Sequence, residues 1–274
     1  MTEMFSQEFI LSALLISIIM GLLLSYLGVH VVGRGIVFVD LALGQISMLG
    51  IAVANFIEKE ETLVSIIFTM IGAFLLSFIK IRDKRLKQEA IIGIVYAVAS
   101  AATVLFISKS PHGESDISEV LFGSVFTVTT EQIVTMAVTF GIIGLVHAIF
   151  RKKFFSLTEK FENHQIEEFG VFNLWNFLFY LSIGLAIVLA VRSAGVIPVF
   201  SYLIIPPVAA IFIARKRSSM VIVSLLVGVA GSFFGIFFSA LYDFPAGASV
   251  VALLGVFFCV LAAVRWVMKM FTTS

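Results

Sequence analysis

Asp40 is the residue whose setting points most directly to chemistry, a carboxylate placed early in the apolar run FVDLALGQISMLGIAVAN. An acid inside such a run is expensive to bury unless it faces a cavity, a partner or the interior of a helix bundle. At 100° per residue, Asp40, Gly44 and Ser47 share one side of a helix, with Gly50 close by, and small residues there let two helices approach closely. Gln45 lies about 140° from Asp40 and addresses a different neighbour. Two readings stay open. Asp40, Gln45 and Ser47 line a route for a cation, with Asp40 as a metal ligand, or Asp40 is hydrogen-bonded near an interface and holds helices together.

A second constellation is the loop KSPHGESDISE, which offers His112, Glu114, Asp116 and Glu119 within eight positions. Imidazole beside carboxylate suits zinc or manganese, so His112, Glu114 and Asp116 form a candidate entrance site with His112 as a ligand. The same composition, with Pro111 and Gly113, also describes an ordinary solvated turn. His147, inside an apolar run, reads more readily as an interhelical hydrogen-bond donor than as a ligand, and His30 and His164 read as solvated edge residues. The third constellation is SLTEKFENHQIEEFG, residues 156–170, which mixes Leu157, Phe161, Ile166 and Phe169 with Glu159, Glu162, Glu167 and Glu168. This short amphipathic pattern ends at Gly170, a helix-stopping residue. A helix meant only for a membrane surface would carry Lys and Arg against anionic lipid, so the acids point to a protein partner, with a solvated connector as the alternative.

The elements that must position these residues follow from composition. Of 274 residues, 60% are hydrophobic and 13% charged, with a mean hydropathy of +1.12, which does not describe a water-soluble chain. A spanning helix needs about 20 apolar residues, and apolar runs fall at 9–30, 36–57, 62–80, 88–108, 131–150, 172–191, 196–214, 219–240 and 247–268. The expected fold is therefore an all-α polytopic membrane protein of about nine transmembrane helices, residues 1–274 forming a single transmembrane domain. Met1 to Phe9 has no base, unlike the start of a cleavable signal peptide, so the first run should stay in the membrane. GSVFTVTT, residues 123–130, is too short to span and too apolar for a comfortable loop, which suits a re-entrant segment. Pro198, Pro206 and Pro207 should bend the seventh span.

Lys and Arg accumulate in cytoplasmic loops. One face collects Arg34, the cluster from Lys80 to Lys87, Arg151, Lys152, Lys153, Lys160, Arg215, Lys216, Arg217, Arg265 and Lys269. The other keeps only Lys59, Lys109 and Arg192, which places the N-terminus outside and the C-terminus inside. The near balance of 18 bases and 17 acids argues against a nucleic-acid binder. One cysteine, Cys259, excludes an intramolecular disulfide. No G-x-x-x-x-G-K-[ST], H-E-x-x-H or G-x-S-x-G stretch occurs, so the chain should not be an enzyme, and any ATP used must be bound by another subunit.

Four stretches in order resemble the permease subunits of bacterial metal-ion ATP-binding-cassette importers, the zinc, manganese and iron group known as the ABC-3 family. They are GIVFVDLALGQISMLGIAVA (35–54), EAIIGIVYAVASAATVLFISKSPHG through LFGSVFTVT (89–129), LWNFLFYLSIGLAIVLAVRSAGVIPVFSYLIIPPVAA (174–210) and GSFFGIFFSALYDFPAGASVVAL (231–253). The resemblance implies a type II importer-like permease in the bacterial cytoplasmic membrane, a homodimer with two ATPase subunits inside and an extracytoplasmic metal-binding protein outside. A divalent metal would be substrate, with no permanently bound cofactor. It also implies that residues 156–170 form the segment coupling to the ATPase, through Glu159, Glu162, Ile166, Glu167 and Gly170. The family's second span usually presents Asp and His four residues apart. Alignment on Gly50 puts Leu41 and Gln45 at those positions, with Asp40 one residue off. The rival reading from another class is a stand-alone secondary carrier or channel.

Overall fold

A computed structural model describes residues 8–79, 88–108, 125–163 and 173–272. Among them are ten α-helices: α1 (Glu8–Arg34), α2 (Val39–Phe56), α3 (Glu61–Ser77), α4 (Gln88–Ile107), α5 (Thr130–Ile149), α6 (Arg151–Glu162), α7 (Leu174–Ala194), α8 (Val196–Ile213), α9 (Arg217–Tyr242) and α10 (Ala246–Thr272). Eight are long and apolar enough to cross a membrane, and the ninth expected span, α3, is apolar but only 17 residues long. Outside these helices, Val125–Thr127 of the proposed re-entrant stretch form one short 3-10 turn. The all-helical outcome follows from the medium: where water cannot satisfy the backbone, each segment must bond its own N–H and C=O groups.

The chain divides into two compact units, with boundaries inside α1, α5 and α7. The first comprises residues 1–32, 122–140 and 193–274. Its centre is a close approach of α1 and α9. A methyl added at Gly21 would meet Ser232 Oγ at 2.8 Å and the Gly228 carbonyl at 2.9 Å. The small residues Ser224, Gly228, Ser232 and Ser239 recur along α9, and the three serine hydroxyls bond backbone carbonyls. Ser224 Oγ donates to the Ser25 carbonyl at 2.9 Å, and Ser232 Oγ to the Ser17 carbonyl at 2.8 Å. Tyr202 OH lies 2.6 Å from Ser232 Oγ, which ties in α8. Pro198 falls in the first turn of α8, where its missing N–H is harmless; Pro206 and Pro207 lie inside, leaving the Tyr202 and Leu203 carbonyls without their helical donors. Gly28 packs against that freed Leu203 carbonyl.

The second unit comprises residues 33–121 and 141–192. Ser47 and Ser65 hydroxyls pair at 2.8 Å, and a methyl at Gly50 would meet the Ser65 Cα at 2.7 Å, so the small-residue face of α2 is a packing surface against α3. Further along, Ile46 packs on Gly72 and Met70 on Gly184. Glu60 caps α3, its carboxylate accepting the Thr62 and Leu63 N–H groups at 2.9 and 2.6 Å. Hydrogen bonding from the Thr62 side chain first, and then from the Leu63 N–H, holds the carboxyl below its usual range. A depressed carboxyl stabilises the fold above the unfolded value near 4.5, and that contribution is lost as pH falls through the folded value. Glu60→Ala should therefore lower the melting temperature of the detergent-solubilised chain at pH 7, with the gap to wild type closing in acid; a gap that stays constant down to the acid limb would refute the cap.

Three sequence expectations change. His30 is not a solvated edge residue: it is fully buried, its Nε2 3.2 Å from Tyr26 OH, because α1 runs on to Arg34 and takes the imidazole inside the bundle. Arg34, assigned to a cytoplasmic loop, is the buried last residue of α1. The amphipathic helix starts at Arg151, five residues earlier than the pattern at Ser156 suggested, because the bases Arg151 to Lys153 form its exposed first turn.

Candidate functional site

Asp40 is the second residue of α2. Ahead of it the chain leaves α1 at Arg34 and reverses at Gly35, whose φ of +65° lies in the left-handed region that favours glycine. Glu89 Oε1, in the first turn of α4, then accepts the Val37 N–H at 3.0 Å. The corner is thus anchored on both sides before α2 begins. Asp40 is 3% exposed, and among the described residues neither carboxylate oxygen has a hydrogen-bond partner. The positive end of the α2 dipole favours negative charge there but does not replace direct ligands. A buried carboxylate in that state is stable only when a proton or a cation neutralises it, so Asp40 has the ligand atoms and the electrostatic reason to meet a cation.

Gln45 and Ser47 are buried on the same helix, at 7% and 0% exposure. Ser47 is engaged with Ser65, its hydroxyl paired and its carbonyl accepting Ser65 Oγ at 3.0 Å. Among the described residues, the two Asp40 oxygens stand without a hydrogen-bond partner, in contrast to the Ser47 hydroxyl. Among the described residues no group of three His, Cys, Asp or Glu side chains is placed to hold a metal ion. His112, Glu114 and Asp116 lie outside the described residues, as do Ile166, Glu167 and Gly170. Glu159 and Glu162 are exposed on α6, whereas Phe154, Leu157 and Phe161 on its other side are buried. The apolar face of α6 is thus already packed, and its charged edge is left exposed.

The residues that sequence reasoning missed lie behind that packed face. Arg34 is 6% exposed; its Nε donates to Thr158 Oγ1 at 3.2 Å and its Nη1 to Asn176 Oδ1 at 3.1 Å. The guanidinium sits 3.5 Å over the Phe179 ring, with Phe161 at 5.4 Å, a cation–π arrangement that offsets part of the lost hydration. His147 stacks face to face on Phe154 at 3.9 Å, which packs the end of α5 on α6. Trp175 closes the cluster, 5.0 Å from Phe150 and 5.7 Å from Phe154. The one sequence signal for this cluster is the placing of a base at the end of an apolar run, and that signal reads equally as a loop.

The chain is similar to known transport proteins along almost its whole length. It is 24% identical over 251 residues to the manganese transport system membrane protein MntC of Halalkalibacterium halodurans, covering 91% of this chain and 85% of that protein. It is 25% identical over 244 residues to the high-affinity zinc uptake system membrane protein ZnuB of Haemophilus influenzae, covering 89% of this chain and 93% of that one. Its fold is shared with a chain of PsaBC from Streptococcus pneumoniae in complex with Fab, with a TM-score of 0.77 at 23% identity over 92% of this chain and 90% of that chain. A model for the ABC 3 transport family matches residues 6–265, nearly the whole of the sequence, and the chain belongs to that family.

Proposed function

We propose that this chain is the permease subunit of an ATP-binding-cassette importer that carries a divalent metal ion, manganese, zinc or iron, into the cytoplasm. The observation that carries this reading is the near full-length similarity to membrane proteins named for manganese and zinc transport. The free carboxylate of Asp40 supplies a matching chemical feature. The chain has no phosphate-cradling loop, so a separate ATPase drives it. The importer is a homodimer in the bacterial cytoplasmic membrane, and the distribution of Lys and Arg supports an N-terminus outside and a C-terminus inside. An extracytoplasmic binding protein delivers the ion near His112, Glu114 and Asp116. The ion then meets Asp40, with Gln45 as a weaker oxygen ligand than imidazole. Asp40 is covered by its own chain's helices, so the ion reaches it only when the helices around α2 part, and ATP binding and hydrolysis drive that step.

The test is purification of the tagged chain from membranes, followed by uptake of radioactive manganese and zinc into proteoliposomes. An ATPase should copurify, and uptake should need ATP and stop with vanadate. Uptake that runs on an ion gradient without ATP would overturn the reading.

The same reading assigns residues 156–170 to the ATPase contact, through Glu159, Glu162, Ile166, Glu167 and Gly170. Glu159 and Glu162 stand exposed on α6, where charge reversal disturbs recognition more than folding. Replacing both with Lys should lower the amount of copurified ATPase by about tenfold while membrane insertion holds, since each ~1.4 kcal/mol of binding is a factor of ten. Undiminished copurification would place the contact elsewhere.

A further inference from the structure

The Arg34 guanidinium joins four chain segments. It reaches Thr158 on the penultimate turn of α6 and Asn176 in the first turn of α7. Asn176 Nδ2 in turn donates to the carbonyl of Ser77, the last residue of α3, at 3.0 Å. Arg34 itself ends α1 and leads through the Gly35 corner, anchored by Glu89, to Asp40 six residues on. Its partners among the described residues are a hydroxyl, an amide oxygen and two ring faces, and Nη2 has none. Removing a charge from water for neutral partners is an inefficient way to hold helices together, and apolar residues of similar volume often serve as well or better. What a guanidinium adds is a rigid planar fork that fixes direction as well as distance. Apolar packing can slide, whereas two directed bonds and a stacked ring make α6 and the α1–α2 corner move together.

We propose that Arg34 is a positioning residue that carries the displacement of α6 to the α1–α2 corner and so to Asp40. This rests on reading α6 as part of the ATPase contact. The link has three parts: Thr158 holds Arg34 to α6, Asn176 and Phe179 hold it to α7, and the short corner hands its position to α2. Packed interiors and hydrogen-bond networks transmit such shifts because they have few intermediate arrangements.

The experiment uses the permease with its copurified ATPase in proteoliposomes, and it measures ATP hydrolysed and radioactive manganese taken up in the same samples. Arg34→Lys keeps the charge but loses the fork and the stacked plane. Thr158→Val removes one acceptor at nearly constant volume, and Thr158→Ser restores a hydroxyl. Manganese carried per ATP should fall roughly fivefold or more in Arg34→Lys and Thr158→Val while hydrolysis persists, the low end of typical coupling between sites. Thr158→Ser should return the ratio toward wild type. An unchanged ratio in Thr158→Val and Arg34→Lys, or uptake and hydrolysis falling in proportion, would overturn the link and make Arg34 a structural tie, with the importer reading intact. Absence of any copurifying ATPase with the wild-type chain would instead overturn the importer reading, and the link with it.

Discussion

Asp40→Asn should reduce manganese uptake by about tenfold or more while the amount of folded protein holds, which corresponds to ~1.4 kcal/mol or more of lost stabilisation along the route. Asn matches Asp in size and can still hydrogen-bond, so helix α2 and its packing on α3 survive. The negative charge that offsets desolvation of the ion does not. Because neither Asp40 oxygen has a hydrogen-bond partner among the described residues, the exchange breaks no bond between them, and the change isolates the charge. Asp40→Leu should lose uptake as well, without the gain in folded protein outweighing the missing ligand. Gln45→His supplies the complementary comparison, since an added imidazole should raise metal retention if Gln45 faces the same route. Uptake normalised to folded protein decides among these, and wild-type uptake by Asp40→Asn would remove Asp40 from the route.

Gly28→Val should abolish most of the folded protein, and Gly28→Ala should lower stability by about 3 kcal/mol, the upper part of the range for overpacked sites. Any β-carbon there overlaps the Leu203 carbonyl and presses on the Pro207 ring. Neither obstacle can rotate away, because one is backbone and the other a ring fixed to it. Gly141→Ala is the control: beyond the adjoining backbone of its own helix, no atom of the described residues lies within 4 Å of its added methyl, and a helical Gly→Ala change gains up to ~1 kcal/mol. Melting of the purified variants in detergent measures both. Equal melting of Gly28→Ala and Gly141→Ala would mean that α1 and α8 do not approach this closely.

Much of the fold was legible because a run of about 20 apolar residues is a strong and local signal. Every expected run has a helix over it, with ends displaced by a few residues, as at α7 and α10. The small-residue face of α2 was legible too, since its spacing repeats within one helix, and Ser47 and Gly50 do pack on α3. What stayed hidden involves partners far apart in the chain. Thr158 and Asn176 lie 124 and 142 residues from Arg34, and no periodicity joins them. The burial of Asp40 was suggested by its run, but the lack of a hydrogen-bond partner for it among the described residues is a property of three dimensions. The start of α6 was missed for a simpler reason: Arg151, Lys152 and Lys153 look like a loop, yet exposed bases are well tolerated on the outer side of a helix whose other face is packed.

The shortness of α3 has a consequence for the lipid around it. At 1.5 Å per residue its 17 residues extend about 25 Å, some 5 Å less than a typical hydrocarbon core. Leu63, Ile67, Ile71, Phe74 and Leu75 are exposed along it, an apolar side open to acyl chains. Hydrophobic mismatch of this size is relieved by thinning the adjacent leaflets, at fractions of a kcal/mol per Å. Headgroups and water are thereby drawn toward the helix that packs on α2. In thicker bilayers the strain grows, and acyl-chain length becomes a control on how readily the helix beside Asp40 shifts.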